Sequence, residues 1–260
     1  MLSHSRKVSS SLSFAPCAYF SNTGRANPNQ KFLVFFGAPG VGKGTYAGLV
    51  QKEFGFNQIS TGDEIRKILK GLVPSTFDQK LVAQIKEIVN SGGLVSDEIV
   101  LNIVKEKVKE PESAKGVILD GFPRNVEQLK KYDELFPIDL VVNLNLKFEI
   151  LLEKLMGRRT CVECGRAYNL CNIQRDGYEM DPLLPKESDC DKCHGKPNLV
   201  VRDDDTEKVI TERFKVYEGQ TLPLLNEYKK KGDVMVDFEV KRGVKDYPAL
   251  KEMLQKRLSL

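Results

Sequence analysis

Between Phe35 and Thr45 the chain reads Phe-Phe-Gly-Ala-Pro-Gly-Val-Gly-Lys-Gly-Thr, an apolar run that passes straight into a glycine-rich turn. Glycines at 37, 40, 42 and 44, with Val41 among them, let the backbone bend sharply and turn successive N–H groups inward around an anion. A helical pattern starts at Thr45, and its dipole adds positive potential at the same spot. Lys43 supplies a mobile charge for β- and γ-phosphates, and the Thr45 hydroxyl can reach Mg²⁺ directly or through water. A glycine-rich turn without a ligand is the competing reading, and the strand–turn–helix context argues against it. The general pattern places Ser or Thr directly after the lysine, whereas here Gly44 intervenes.

Two further constellations could do chemistry. Cys161-x-x-Cys164 and Cys190-x-x-Cys193 are separated by 25 residues. Each pair can place two thiolates on one turn, and together they can supply a tetrahedral sulfur shell for a structural Zn²⁺. Disulfides and an iron–sulfur cluster are the alternatives for four cysteines. Four protein ligands would leave the metal no open position, so it would staple a small polar segment rather than catalyse. His194, next to Cys193, reads as a bystander. The second constellation is cationic. Arg124 follows Asp120-Gly121-Phe122-Pro123, Arg158 and Arg159 open the cysteine segment, Arg202 closes it, and Arg213 and Arg66 lie further off. A single surface arginine is usually a solvated charge. Several of them alongside a phosphate loop suit phosphoryl transfer, which needs converging cations. Asp120 ends an apolar run and is the candidate second Mg²⁺ contributor; a plain strand-end turn residue is the alternative.

These residues need elements to hold them. Near-continuous apolar runs at Phe32–Phe36, Asn57–Ser60, Gly116–Asp120, Asp139–Leu146 and Val234–Phe238 suit strands buried on both faces of a parallel sheet. Helical patterns fall between them at Thr45–Phe54, Ile99–Lys109, Val126–Phe136, Phe148–Met156, Glu207–Lys231 and Tyr247–Leu258. The alternation predicts an α/β fold, a five-stranded parallel sheet of the P-loop NTPase kind with ligand at the carboxyl ends of the strands. Residues 60–96 and 158–204 interrupt the alternation and read as insertions into a core spanning 31–260.

Bulk properties narrow the function classes. The net charge is +4, but Arg6, Lys7 and Arg25 carry most of it, and the remainder stands near +1. That excess is small for a phosphate-neutralising nucleic-acid binder, so no nucleic-acid partner is expected. No apolar run is long enough to span a bilayer, so no membrane partner is expected. Residues 1–30 hold seven serines and no Asp or Glu. This composition fits an organelle transit peptide, mitochondrial (matrix) in the first place, with plastid import or a cytoplasmic protein with a disordered tail as alternatives.

Five ordered motifs together resemble the adenylate kinase family of nucleoside monophosphate kinases. Gly37–Thr45 reads GAPGVGKGT, with the Lys-Gly-Thr ending typical of that family. Ser60-Thr61-Gly62-Asp63-Glu64-Ile65-Arg66 resembles its monophosphate-binding opening, and Gly93-Leu94-Val95-Ser96-Asp97-Glu98 the end of that insertion. Asp120-Gly121-Phe122-Pro123-Arg124 with Gln128, and Gly157-Arg158-Arg159 with Arg202-Asp203-Asp204-Asp205, complete the set. The resemblance implies a Mg²⁺-dependent transfer of the γ-phosphoryl of ATP or GTP to AMP. It implies that Thr61, Arg66, Val95, Gly121, Arg124, Gln128, Arg202 and Arg213 hold AMP. It places Lys43, Arg124, Arg158, Arg202 and Arg213 around the transferred group. The donor would be held by Gly37, Gly40, Val41, Gly42, Lys43, Gly44, Thr45, Arg158 and Lys154. The family is mostly monomeric, which implies a monomer.

The lid, with Cys161, Cys164, Cys190 and Cys193, is similar to the zinc-bearing lids of many bacterial members, yet it is expanded between Cys164 and Cys190. Two departures touch the donor base. Lys154 stands where many members carry a stacking arginine, and Val236-Asp237-Phe238-Glu239 lacks a glycine those members have after the last strand's Asp. The family includes GTP:AMP kinases of the mitochondrial matrix, so a GTP donor stays open beside ATP. A UMP/CMP-type kinase is disfavoured by Thr61. A non-catalytic nucleotide sensor would be expected to lack the arginines that are all present here.

Overall fold

The computed structural model describes residues 28–71, 79–186, 193–194 and 198–260. The proposed leader up to residue 27, and Cys190, lie outside them. Strands β1 (Lys31–Phe36), β2 (Asn57–Ser60), β3 (Gly116–Asp120), β4 (Leu140–Asn145) and a last strand at Met235–Glu239 form one sheet. All its pairings are parallel. Its order is last strand, β4, β1, β3, β2, so β1 is central. Side chains alternate across the sheet. Leu33 and Phe35 of β1 enter one buried cluster, while Phe32, Val34 and Phe36 enter the other. Both faces are covered, which is why the run reads as continuously apolar.

Helices connect the strands. They are α1 (Lys43–Phe54), α2 (Thr61–Leu69), α3 (Gln79–Asn90), α4 (Asp97–Val108), α5 (Val126–Asp133) and α6 (Phe148–Met156). Capping fixes several starts: the Ser60 side chain accepts from Asp63 N–H, and Asn125 accepts from Gln128 N–H at 2.7 Å. The five predicted strands are found, with ends shifted by a residue at most.

The predicted helix Glu207–Lys231 is instead two helices, α7 (Glu207–Val216) and α8 (Leu224–Lys230). A π turn, Tyr217–Thr221, separates them, with Leu222 N–H donating to Tyr217 O at 2.7 Å. Pro223 has no N–H to continue the α-helical ladder at this point. The break turns Thr221 so that its hydroxyl donates to Arg124 O at 2.8 Å.

Within residues 158–204, short polar strands appear that the apolar pattern does not signal. Strands β5 (Arg158–Cys161), β6 (Ala167–Asn169) and β9 (Leu199–Val200) form a small antiparallel sheet in the order β6-β5-β9. Strands β7 (Ile173–Arg175) and β8 (Tyr178–Met180) form a hairpin turning on Asp176 and Gly177, whose φ values are 54° and 81°. An Asp-Gly pair of that conformation is a strong hairpin signal. Strand β10 (Met235–Glu239) and helix α9 (Tyr247–Leu258) close the fold, with Leu250, Leu254 and Leu258 buried at i, i+4, i+8 spacing. No helix among the described residues is long and apolar enough to cross a membrane.

Candidate active site

Sheet register brings three loops together. Asp120 lies beside Phe35 of β1 and beside Ser60 of β2. The turn after Phe36, the start of α2 at Thr61 and the turn at Gly121 therefore leave the sheet at the same edge. This is the carboxyl edge, where ligands bind in open α/β sheets.

In the first loop, Gly37, Gly40 and Gly42 have φ of 139°, 87° and 108°. A Cβ at Gly37 would lie 2.5 Å from Leu144 O, and one at Gly40 would lie 2.8 Å from Leu155 Cγ of α6. The loop is thus clamped between β4 and α6, and only glycine fits the turns. Val41 is fully buried beneath it. Gly44 has a simple explanation too. A Cβ there would sit 3.2 Å from Asp120 Oδ2, tighter than ordinary contact, so the small residue lets the helix start approach the carboxylate. Thr45 follows at the same end of α1.

Lys43 Nζ donates to Gly37 O at 2.8 Å and to Ala38 O at 3.1 Å, closing the loop on itself. Burial lowers its pKa to about 8, Asp120 works in the opposite direction, and Arg124, Arg213 and Arg158 lower it further. Asp120 is shifted the other way: burial raises its pKa, and Lys43 opposes the rise. Its Oδ2 accepts from Gln58 Nε2 at 3.4 Å. A buried carboxylate against the helix start, with a threonine hydroxyl close by in sequence, is a donor set that fits Mg²⁺.

The second loop holds the cleft. Gly121, at φ 77°, turns its carbonyl to accept from Arg124 Nε at 2.7 Å and from the Thr61 hydroxyl at 3.0 Å. The Arg124 N–H donates to Gln128 Oε1 at 2.7 Å, and Gln128 Nε2 donates to Asp97 Oδ1 at 2.9 Å. Thr61 and Gln128 are buried, as is Val95. A cleft opens here. Ile65, Val95 and Val100 line its apolar side, and Thr61, Arg66, Arg124, Gln128, Asp204 and Arg213 its polar side. Arg66 pairs with Asp63 on the same helix. A wider groove between α3 and α7 carries mixed charges, Lys86, Glu87, Glu207 and Lys208 among them, and none of the site groups.

The remaining arginines meet two carboxylates, Asp204 and Asp205. Arg158 Nε donates to Asp205 Oδ2 at 2.7 Å, and Arg202 donates to Asp204 through two bonds at 2.8 and 2.6 Å. Arg213 reaches Asp204 Oδ2 at 3.2 Å and Asp205 Oδ1 at 3.4 Å. Burial would raise the Asp204 carboxyl, but Arg202, Arg213 and Arg158 outweigh it and hold the group well below the usual carboxylate range. Arg213 is pulled down by burial and by Arg158 beside it. The acid run 203–205 directly after Arg202 is the sequence signal for this clamp. Lys43, Arg124, Arg158, Arg202 and Arg213 thus face one region. Lys154 stands apart from them, with its ammonium 3.8 Å from Met180 Sδ.

The cysteine segment has a compatible geometry. The sulfurs of Cys161, Cys164 and Cys193 lie within 4.8 Å of one another, and Cys164 and Cys193 are 3.9 Å apart. Four thiolates at zinc–sulfur distances of about 2.3 Å in a tetrahedron stand about 3.8 Å apart, so these three fit a zinc shell. Gly165 and His194, each directly after the second cysteine of its pair, both take positive φ, 73° and 45°. His194 therefore occupies the turn position matching Gly165.

The Lys43 shift has a consequence in solution. In the free protein its ammonium loses its proton above about pH 8. The kcat/KM for a phosphate-bearing donor should therefore fall about tenfold per pH unit above that point, while kcat at saturation stays flat to higher pH. The stability effect has the opposite sign. Between pH 8 and 10.5 the unfolded chain holds the proton and the folded chain does not, so this group's contribution to stability grows as pH rises. Steady-state pH profiles and denaturation at pH 7.5 and 9.5 check both.

Comparison with known proteins agrees with this geometry. The family model described as adenylate kinase matches residues 35–233. A GTP:AMP phosphotransferase of Plasmodium falciparum is 39% identical over 217 residues, 83% of this chain and 92% of that protein. The chloroplastic adenylate kinase 1 of Arabidopsis thaliana is 39% identical over 264 residues, covering 97% of this chain and 88% of that one. An adenylate kinase of Thermodesulfovibrio yellowstonii is 42% identical over 205 residues, 77% of this chain and 87% of its own length. A family model that spans most of the chain and relatives this similar over most of their length show that this chain belongs to the adenylate kinase family.

Proposed function

We propose that the protein transfers the γ-phosphoryl group of a Mg²⁺-bound nucleoside triphosphate reversibly to AMP, giving a nucleoside diphosphate and ADP. The observation that carries this reading is the convergence of Lys43, Arg124, Arg158 and Arg213 between the phosphate loop and the cleft at Thr61 and Gln128. AMP occupies the cleft, with Thr61, Arg66, Val95, Gly121, Arg124, Gln128, Arg202 and Arg213 around it. The donor's phosphates lie in the Gly37–Thr45 loop. Thr45 and Asp120 hold Mg²⁺, which neutralises charge on the donor phosphates when bound.

The attacking atom is an AMP phosphate oxygen, ionised at neutral pH, so no general base is required. One P–O bond forms to that oxygen as the bond to the donor's bridging oxygen breaks. Catalysis is alignment plus charge stabilisation. Asp204 and Asp205 fix the guanidinium planes in advance, and phosphate oxygens compete for the same donors. The insertions at 60–96 and 158–204 close over the substrates and exclude water. The protein acts as a monomer.

Cys161, Cys164 and Cys193, with Cys190, hold a structural Zn²⁺ that folds the lid. The first thirty residues address the chain to an organelle, the mitochondrial matrix in the first place. The chloroplastic relatives support the plastid alternative.

Three outcomes are expected. Lys43→Met and Arg124→Ala each lower kcat/KM by roughly two orders of magnitude or more in a folded protein; near-wild-type rates in either would remove the role assigned to it. Elemental analysis of intact protein finds one zinc per chain, and chelation lowers the melting temperature; a clearly substoichiometric content counts against the site. A reporter carrying residues 1–30 enters mitochondria, and a diffuse cytosolic signal sinks the address.

A further inference from the structure

Asp97 stands behind the cleft rather than in it, in the first turn of α4. One of its oxygens, Oδ1, accepts two side-chain hydrogen bonds, from Gln128 Nε2 at 2.9 Å and from Asn125 Nδ2 at 3.0 Å. Asn125 in turn caps α5 by accepting from the Gln128 N–H at 2.7 Å. The starts of α4 and α5 are thus laced together by three side chains. Of these, Gln128 is buried and lines the cleft.

A primary amide carries two N–H donors and two acceptor lone pairs. Gln128 uses one of each inside the protein: Nε2 donates to Asp97, and Oε1 accepts from the Arg124 N–H at 2.7 Å. The two partners together define one orientation of the amide. Turned over, the group would set Oε1 against the Asp97 carboxylate and its NH₂ against the Arg124 N–H, two meetings of like with like. Asp97 makes the larger part of that penalty, because an ionised carboxylate accepts and cannot donate. One N–H and one lone pair of Gln128 are left for a ligand.

The chemistry of the cleft orients a nucleotide within it. Arg66, Arg124 and Arg213 mark the end for a phosphate, while Ile65, Val95 and Val100 give the apolar wall that a flat base needs. Val95 precedes Asp97 by two residues, so Gln128, bonded to Asp97, belongs to the base end. There its fixed lone pair calls for a donor and its fixed N–H for an acceptor. Adenine presents that pair, an amino group beside a ring nitrogen, whereas a 6-oxo purine presents an oxygen where the amino group stood. Against a locked amide that oxygen faces the Oε1 lone pair. Against an amide free to turn it finds an N–H.

We propose that Asp97 is a specificity-determining positioning residue, which locks the Gln128 amide in one orientation so that the cleft takes a 6-amino purine monophosphate and turns away its 6-oxo counterpart. The assignment rests on the reading of the protein as an AMP-phosphorylating kinase.

The test compares AMP and IMP, which carry an amino and an oxo group at position 6 of the base, as phosphoryl acceptors. It uses the full chain, Asp97→Ala, Asp97→Asn, Gln128→Ala, and Asp97→Ala combined with Gln128→Ala. The intact protein should favour AMP in kcat/KM by about 100-fold. Asp97→Ala should lower that ratio about tenfold or more, with the KM for the triphosphate donor within about twofold. Asp97→Asn, whose side-chain carbonyl still accepts from Gln128, should keep the ratio within about threefold of the intact protein. With Gln128 already alanine, removing Asp97 should change the ratio no further. A merely structural acid would move the AMP and IMP constants together, and an unchanged ratio in folded Asp97→Ala overturns the proposal. Equal rates with AMP and IMP in the intact protein, or a further drop in the Gln128→Ala background, overturn it too. Hydrogen exchange of the Gln128 side-chain amide in the intact protein decides the matter if Asp97→Ala does not fold. Its protons should exchange at least about tenfold slower than those of an exposed glutamine, and exchange at the exposed rate overturns the lock. An intact protein that phosphorylates neither AMP nor IMP would instead defeat the functional reading, and the exchange arm would still judge the lock.

Discussion

The structure is organised around the difficulty of holding like charges together out of water. Lys43, Arg124, Arg158 and Arg213 sit close enough for each arginine to lower the lysine's pKa. Desolvating even one such cation is costly unless carboxylates or hydrogen-bond acceptors answer it. The chain answers each one. Asp120 faces Lys43, the Gly121 carbonyl takes Arg124, and Asp204 and Asp205 share Arg158, Arg202 and Arg213. These acceptors are provided by turns and short segments at strand and helix ends, so the cations are held close together in fixed positions.

The sheet sets where those turns can be. Because all five strands are parallel, their carboxyl ends share one edge, and the register that pairs Asp120 with Phe35 and Ser60 aligns three loops to within a residue. Local chemistry then fine-tunes the approach. Gly37 avoids Leu144 O, Gly44 makes room for Asp120, and the π turn before Pro223 swings Thr221 onto Arg124 O. Each is a backbone choice made for the sake of a neighbour far away in sequence.

Much of this was legible in the residues. The apolar runs marked β1, β3 and β4 because burial on both faces leaves no polar alternation to confuse the pattern, whereas the two edge strands β2 and β10 are partly exposed and carry polar residues. The loop at Gly37–Thr45 and the turn at Asp120–Arg124 were legible because their glycines take the positive φ that the turns require. The lid strands were not, since two- to four-residue polar strands carry no periodicity. The helix break at Tyr217–Thr221 was hidden because Pro223 is tolerated in the first turn of a new helix. The hairpin was signalled only by Asp176-Gly177.

By itself, then, the sequence determined that a glycine-rich turn joins the first strand to the first helix and that a parallel sheet carries it. Both follow from local rules of burial and turn chemistry. It also supplied the cysteine spacing on which three sulfurs now meet. Only the tertiary structure decided which acids hold which arginines, and that Gln128 anchors both Arg124 and Asp97. Only it decided that the inserted hairpin packs on the core beside Lys154. Those pairings join residues brought together by strand register and packing, and register depends on the whole sheet rather than on any one segment of the chain.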